Sequence, residues 1–369
     1  MKMPDRREAG IAARAPLPHR KVIRGWLAPA SARNTPYALM LVALDSALFA
    51  AFIGGTVLAP QPALKLLLGV AAGFWIGRLF ILGHDACHQS FTPHRRLNRW
   101  LGRLVFLPSL TPYTLWEAGH NVVHHGYTNL KGADFVWAPL TLDEYRALPA
   151  WRRALERVYR SGWAPWLYYL VEMWWLRMYF PSRSRMTSRR PLFFWDCVLV
   201  SAAAVAWVAA LIAAANATGQ SIAWVVGTGF LVPFLFWNGM IGFVVYLHHT
   251  HTGVAWYEEK TAWSRSQPFV TTTVHVSFRP RWLGLDAGTL LHHIMEHTAH
   301  HVDMGIPLYR LKQAQSILET RLPGCIVRQP FSWRAYFETA ARCKLYDLKA
   351  RRWTDFSGTP TSEPAAVTA

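Results

Sequence analysis

Four long apolar runs dominate the chain, at roughly Tyr37 to Leu58, Ala63 to Leu82, Leu192 to Ala215 and Ile222 to Leu247. About 20 residues of helix cross a bilayer core about 30 Å thick, so each run predicts a membrane-spanning helix. The first two runs are separated only by Ala59, Pro60, Gln61 and Pro62, and the last two by Asn216 to Ser221. Connections that short predict two tight hairpins. Two weaker stretches, Trp100 to Trp116 and Trp163 to Phe180, are broken by Pro108 and Pro112 or carry Glu172 and Arg177. Flanked by Trp and Tyr, they predict helices lying in the membrane interface rather than across it.

The polar positions add a direction to this pattern. All but two of the 39 Lys and Arg residues lie outside the apolar runs: before Pro36, between Gly83 and Pro191, and after Leu247. Neither hairpin tip carries one. The positive-inside rule therefore places both termini and the central region in the cytoplasm, most simply of a bacterial inner membrane. The two exceptions, Lys65 and Arg78, lie near helix ends and are expected to snorkel to the surface. A formal net charge of +18 suggests nucleic acid at first sight. The charges avoid the apolar runs and form no basic repeat, so an anionic membrane surface fits better and no nucleic-acid partner is expected.

Residues 1–36 read as a basic cytoplasmic arm without the apolar core of a secretory signal. Residues 37–357 read as one domain, and 358–369, rich in Pro, Thr and Ala, as a disordered tail. The four cysteines, Cys87, Cys197, Cys325 and Cys343, show no framework spacing and predict free thiols in a reducing compartment.

Eight of the 16 histidines fall into three clusters: His84 and His88; His120, His124 and His125; His297, His300 and His301. Residues three or four apart share a helix face, so each cluster can aim its imidazoles at one point. The predicted topology puts all three clusters on the cytoplasmic side, where they can converge just above the membrane and supply two metal ions. Single histidines such as His19, His94 and His275 read as surface or hydrogen-bonded residues. No Cys-x-x-Cys pair accompanies the clusters, which argues against structural zinc. Neutral imidazoles suit iron, zinc, copper and nickel alike. A greasy site with open coordination positions favours iron and oxygen chemistry. Asp85 and Glu296, beside the clusters, are candidate partners that orient imidazole N–H groups.

These residues resemble a known family. His-Asp-Ala-Cys-His at 84–88, followed by Gln89, Ser90 and Phe91, is similar to the first histidine box of the membrane fatty acid desaturases. His-Asn-Val-Val-His-His at 120–125, followed by Tyr127, Thr128 and Asn129, resembles the second. His-Thr-Ala-His-His at 297–301, running into Ile306, Pro307 and Tyr309, resembles the third. The likeness spans roughly residues 40–350, including Asp134 and Trp137 after the second box and Thr273, Val274 and His275 before the third. It points to the omega-6, or delta-12, acyl-lipid desaturases of cyanobacterial type.

The resemblance implies an all-α integral membrane protein: four transmembrane helices in two hairpins, interfacial helices and a cytoplasmic histidine-rich di-iron cap. It implies His84, His88, His120, His124, His125, His297, His300 and His301 as ligands of two iron ions. His249 would be a ninth, from the His-His-Thr at 248–250. His248, His251, His292 and Asp134 join the candidate supporting groups. The second box holds three residues before its His pair where relatives often hold two; either spacing is expected to keep the imidazoles on one helix face.

The implied reaction uses O2 and two electrons to remove hydrogens from adjacent methylenes, leaving a cis double bond. In the omega-6 case oleoyl lipid becomes linoleoyl lipid, positioned by an apolar tunnel. The His-Pro-Gly-Gly signature of a fused cytochrome b5 does not occur, so a separate electron donor, a ferredoxin in a bacterium, is expected on the basic face. The rival readings are a carotenoid ketolase or related di-iron oxygenase and, from another class, a metal transporter. A transporter carries polar ligands within its spans, and the four apolar runs contain no histidine.

Overall fold

Prolines stand where three of the four long helices begin. The computed structural model describes residues 17–185, 190–277 and 287–365. In it Pro36, Pro62 and Pro191 stand in the first turns of helices α1 (Thr35–Leu58), α2 (Pro62–Cys87) and α3 (Pro191–Ala217). A first-turn proline gives up only an N–H that has no acceptor within the helix. The fourth long helix, α4 (Ile222–His249), contains one wide-turn segment at Gly227–Leu231. All four are long and apolar enough to cross a membrane, as the apolar runs predict.

Helices α2 and α4 form the inside of this array. Burial covers 56% and 50% of their most apolar stretches, against 22% in α1 and 17% in α3. The sequence explains the contact. A Cβ on Gly69 would stand 2.4 Å from the Thr228 carbonyl oxygen, and one on Gly73 would stand 2.8 Å from the Pro233 carbonyl oxygen. Lipid gives apolar helices no reason to prefer one another, so close backbone approach through small residues carries such contacts. The outer faces keep Leu39, Met40, Leu44, Leu67 and Val205 exposed.

Lys65 and Arg78 in α2 both have protein partners. The Lys65 ammonium is buried and donates to the carbonyls of Thr56 and Val57 at 2.6 and 3.0 Å, closing the open carbonyl end of α1. Arg78 turns inward, its Nε donating to Asp45 at 3.0 Å.

The weaker stretches are helical in part. The first holds the end of the helix Arg95–Phe106, a turn, and the helix Tyr113–Trp116, which runs on as a wide-turn segment, Glu117–His124. The second holds Pro165–Tyr168, continued by the wide turns of Tyr169–Met178. Trp100, Trp163, Trp166 and Trp175 are exposed along them.

The fold is not wholly helical. Strand β1 (Val274–Ser277) pairs in parallel with β2 (Val327–Pro330), and β3 (Leu345–Asp347) pairs antiparallel with β4 (Arg352–Thr354). The expected disordered tail is held as far as residue 365: Thr361 N–H donates to Trp353 O at 2.9 Å and Ala365 N–H to Arg351 O at 2.8 Å. Pairing with a strand gives these polar residues the backbone partners that their composition alone does not promise. Residues 366–369, like 1–16 of the arm, lie outside the described residues. The rest of the arm includes a helix, Arg20–Leu27, with Ile23 and Leu27 buried. All four cysteines are unpaired.

Candidate metal centre

Three helix ends and one irregular helix bring nine imidazoles together. His84 and His88 lie at the end of α2, one turn apart. His249 is the last residue of α4. His297, His300 and His301 lie on a short helix, α5 (His297–Val302). The second box is wound differently from the others. Glu117–His124 adopts five-residue turns, with His125 N–H donating to His120 O at 2.9 Å. This winding places His120 and His125 side by side, their Nε2 atoms 3.1 Å apart, and sends His124 elsewhere. The expectation that the box presents its imidazoles on one face is therefore corrected. The extra residue before the His pair is taken up by a wide turn that divides the box between two sites.

The imidazoles form two groups whose ligand atoms lie within 4.8 Å of one another: His84, His88, His120, His125 and His300; and His124, His249, His297 and His301. In the first, Nε2 of His84 lies 2.8 Å from that of His120, and Nε2 of His125 lies 3.0 Å from that of His300. In the second, Nε2 of His249 and His297 are 2.9 Å apart. The groups adjoin, since the rings of His125 and His301 stack with centroids 4.1 Å apart.

The donor set fits metal ions. Burial holds His88, His120, His125, His297, His300 and His301 well below the usual imidazole pKa, so they are neutral at pH 7 with one lone pair each. Two rings have that lone pair aimed by an outside partner. His124 Nδ1 lies 3.1 and 3.2 Å from the Asp134 carboxylate oxygens, and His301 Nδ1 lies 3.2 Å from Thr128 Oγ1. Asp134 is itself fixed by the N–H groups of Asn129 and Val136. With Nδ1 of each ring turned to its partner, Nε2 is left for the centre. His301 Nε2 is buried without a hydrogen-bond partner among the described residues, and a cation would satisfy it.

The histidines form one wall of a narrow apolar slot. His84, His120, His124, His249 and His297 face Phe80, Trp116, Tyr169, Met173, Ile241 and Val244 across it. Metal-ready imidazoles beside a hydrocarbon-lined slot suit redox chemistry on an apolar chain.

The comparison with known proteins decides the family: the fatty acid desaturase model matches residues 60–330. The chain belongs to the fatty acid desaturase family. It is 28% identical over 305 residues to an sn-1 oleoyl-lipid 12-desaturase of Picosynechococcus sp., covering 81% of this chain and 82% of the relative. It is 28% identical to a chloroplastic omega-6 fatty acid desaturase of Glycine max, over 76% of this chain and 62% of that protein. An omega-3 fatty acid desaturase of Caenorhabditis elegans is 30% identical over 68% of this chain and 59% of its own length. This protein is thus an oxidoreductase of the desaturase type, with the lipid substrate and membrane association the family implies.

Around the desaturase histidines, the supporting residues differ from several expectations. Asp134 stands against a ligand candidate, but Asp85 does not: its carboxylate accepts from Ser90 Oγ at 2.7 Å and meets no imidazole among the described residues. Its position in the helix points it away from the face that His84 and His88 share. Glu296 pairs with His293 at 3.4 Å rather than with a box histidine. His292 Nε2 lies 2.6 Å from Asp45, so it braces α1 and not an imidazole. His248 stays outside both groups, stacked on His297 at 3.9 Å with its Nε2 3.3 Å from Met295 Sδ. His251 Nδ1 accepts from Gly253 N–H in a turn.

Three supporting residues escaped the sequence reading: Thr128, Asp45 and Arg20. Arg20 Nε and Nη2 each donate at 3.0 Å, to the carbonyls of Val302 and His301 at the end of α5. Asp45 carried a signal as an acid within an apolar run, and Thr128 stood in the stretch after the second box without its role being marked.

Proposed function

We propose that this desaturase holds two iron ions, one in each imidazole group, and inserts a cis double bond at the delta-12 position of an oleoyl chain. One observation carries the reading: both imidazole groups open onto the same apolar slot. Iron bound there would supply the redox chemistry by which O2 and two electrons from a donor remove hydrogen from adjacent methylenes.

The chain's own residues do the rest. His84, His88, His120, His125 and His300 would hold one ion, and His124, His249, His297 and His301 the other. An all-imidazole set without thiolate leaves the ions electron-poor, which favours iron over a structural zinc role. Asp134 and Thr128 keep His124 and His301 turned toward the centre. Phe80, Trp116, Ile241 and Val244 exclude water and hold methylenes against the histidine wall.

The distribution of Lys and Arg supports a four-span topology in a bacterial inner membrane, with both termini and the centre cytoplasmic. The exposed tryptophans of the two weaker stretches then lie at headgroup depth. The basic cytoplasmic face suits an acidic electron carrier such as a ferredoxin. The relatives named for oleoyl-lipid 12-desaturation and omega-6 desaturation support the position of the bond.

Expression with a ferredoxin system in a host lacking desaturases tests the reading. Gas chromatography with mass spectrometry of double-bond derivatives should find linoleate formed from oleate. A new bond at the ninth or fifteenth carbon as the main product would remove the delta-12 assignment. Oxygenated carotenoids with unchanged acyl chains would overturn the substrate class.

A further inference from the structure

A second, wider cavity meets the apolar slot at Gly119 and Phe135, which line both. It is open to solvent and of mixed character, with charged residues among its lining. Most of those charges are already spent on one another. Lys131 binds Glu144 at 2.8 Å, Arg152 bridges Glu156 and Glu172, and Arg160 binds Glu156 at 3.3 Å. Asp134 is committed to His124 and to two backbone N–H groups.

Two cations are left over. Arg177 lies over the Phe135 ring, its guanidinium carbon 4.3 Å from the centroid, at the residue that separates slot from cavity. Arg185 lines the same cavity beside Ser184. Neither guanidinium makes a hydrogen bond or a close ion pair among the described residues; Glu172 and Asp134 act on Arg177 only at longer range, and Arg185 is exposed at the rim. The surrounding chain supplies a depth marker: Trp175, Phe180, Phe194 and Trp195 are 55%, 46%, 55% and 61% exposed. Exposed aromatics of this kind sit at the level of lipid headgroups.

We propose, resting on the desaturase reading, that this cavity receives the polar head of the acyl substrate, and that the head carries a phosphate bound by Arg177 and Arg185. The acyl chain then passes Phe135 and Gly119 into the slot. The forked N–H donors of Arg177, with no close carboxylate, match phosphate oxygens, and Arg185 adds a second positive charge at the exposed rim; an uncharged sugar head offers neither cation a counter-charge. The phosphate belongs either to a phospholipid or to coenzyme A.

The test offers the purified enzyme, with its reductase system, three oleoyl substrates: a phosphatidylglycerol, coenzyme A and a galactosyl diacylglycerol. The proposal expects a phosphate-bearing substrate to be preferred in kcat/KM by about tenfold or more, the size of one charged hydrogen bond. The favoured phosphate arm names its source. Arg177→Gln should raise KM for that substrate by a similar factor, and Arg177→Lys should recover part of it, with iron content retained in both. The wild-type preference stands as a test even where a variant folds poorly. Equal or better use of the galactolipid, or an unchanged KM in Arg177→Gln, overturns the phosphate site while leaving a desaturase. Wild type inactive on every oleoyl substrate would instead sink the functional reading beneath it.

Discussion

The nine imidazoles contribute unequally, because some are aimed by a partner and others only by the helix that carries them. His300 belongs to the five-membered group and Asp134 touches only His124 of the other. Replacing His300 by Ala removes a donor outright, so activity should fall below detection. Asp134→Asn keeps the shape and loses only the charge behind His124, so activity or metal affinity should fall by roughly 10–100-fold, the usual cost of disturbing a ligand's outer partner. Turnover measured alongside bound metal separates the two. Full activity in His300→Ala would remove it from the ligand set. The box histidines were legible in the sequence because ligation by one helix needs close spacing. Thr128 was not, because its partner His301 lies 173 residues away and nothing local marks the pair. Asp85 misled for the converse reason: adjacency in sequence places a side chain on another face of the helix.

Elements decide how those residues meet. The four long helices were legible from hydropathy, three of them with starts marked by prolines, since length and apolarity are local properties. The wide turns of Glu117–His124 were not: the same eight residues can wind as an ordinary helix, and packing selects the winding. The strands escaped for a similar reason, because β1 and β2 lie some fifty residues apart in the chain and their register depends on the fold. Asp45 shows what an element-level brace contributes. It accepts from Arg78 Nε at 3.0 Å and faces His292 Nε2 at 2.6 Å, while Arg78 Nη1 donates to Thr289 O and Leu290 O. The segment so held leads directly into α5, and His292 and His293 both sit at positive φ, 48° and 60°. Asp45→Ala leaves Arg78 without its counter-charge. Breaking a buried pair this way costs about 3–5 kcal/mol, so melting in detergent should move to clearly lower temperature. An unchanged melting curve would show that the brace is dispensable.

Across the whole molecule, the connections Ala59 to Gln61 and Thr218 to Ser221 carry no Lys or Arg, whereas the segments that bear the imidazole groups are rich in them. The topology that follows is testable in cells. Cysteines placed at Gln61 or Gly219 should react with a membrane-impermeant reagent added from outside, and one beside Lys260 should react only after the membrane is opened. External labelling at position 260 would invert or break the four-span arrangement.

The central claim is that two adjoining imidazole groups hold two irons. Metal analysis of the purified desaturase, with its iron counted against protein by amino-acid analysis, tests it most directly. The account predicts two irons per active chain and about one when ligands of a single group, such as His249 and His297 together, are replaced in a chain that still folds. An active enzyme with one iron per chain, or with zinc in place of iron, would contradict it.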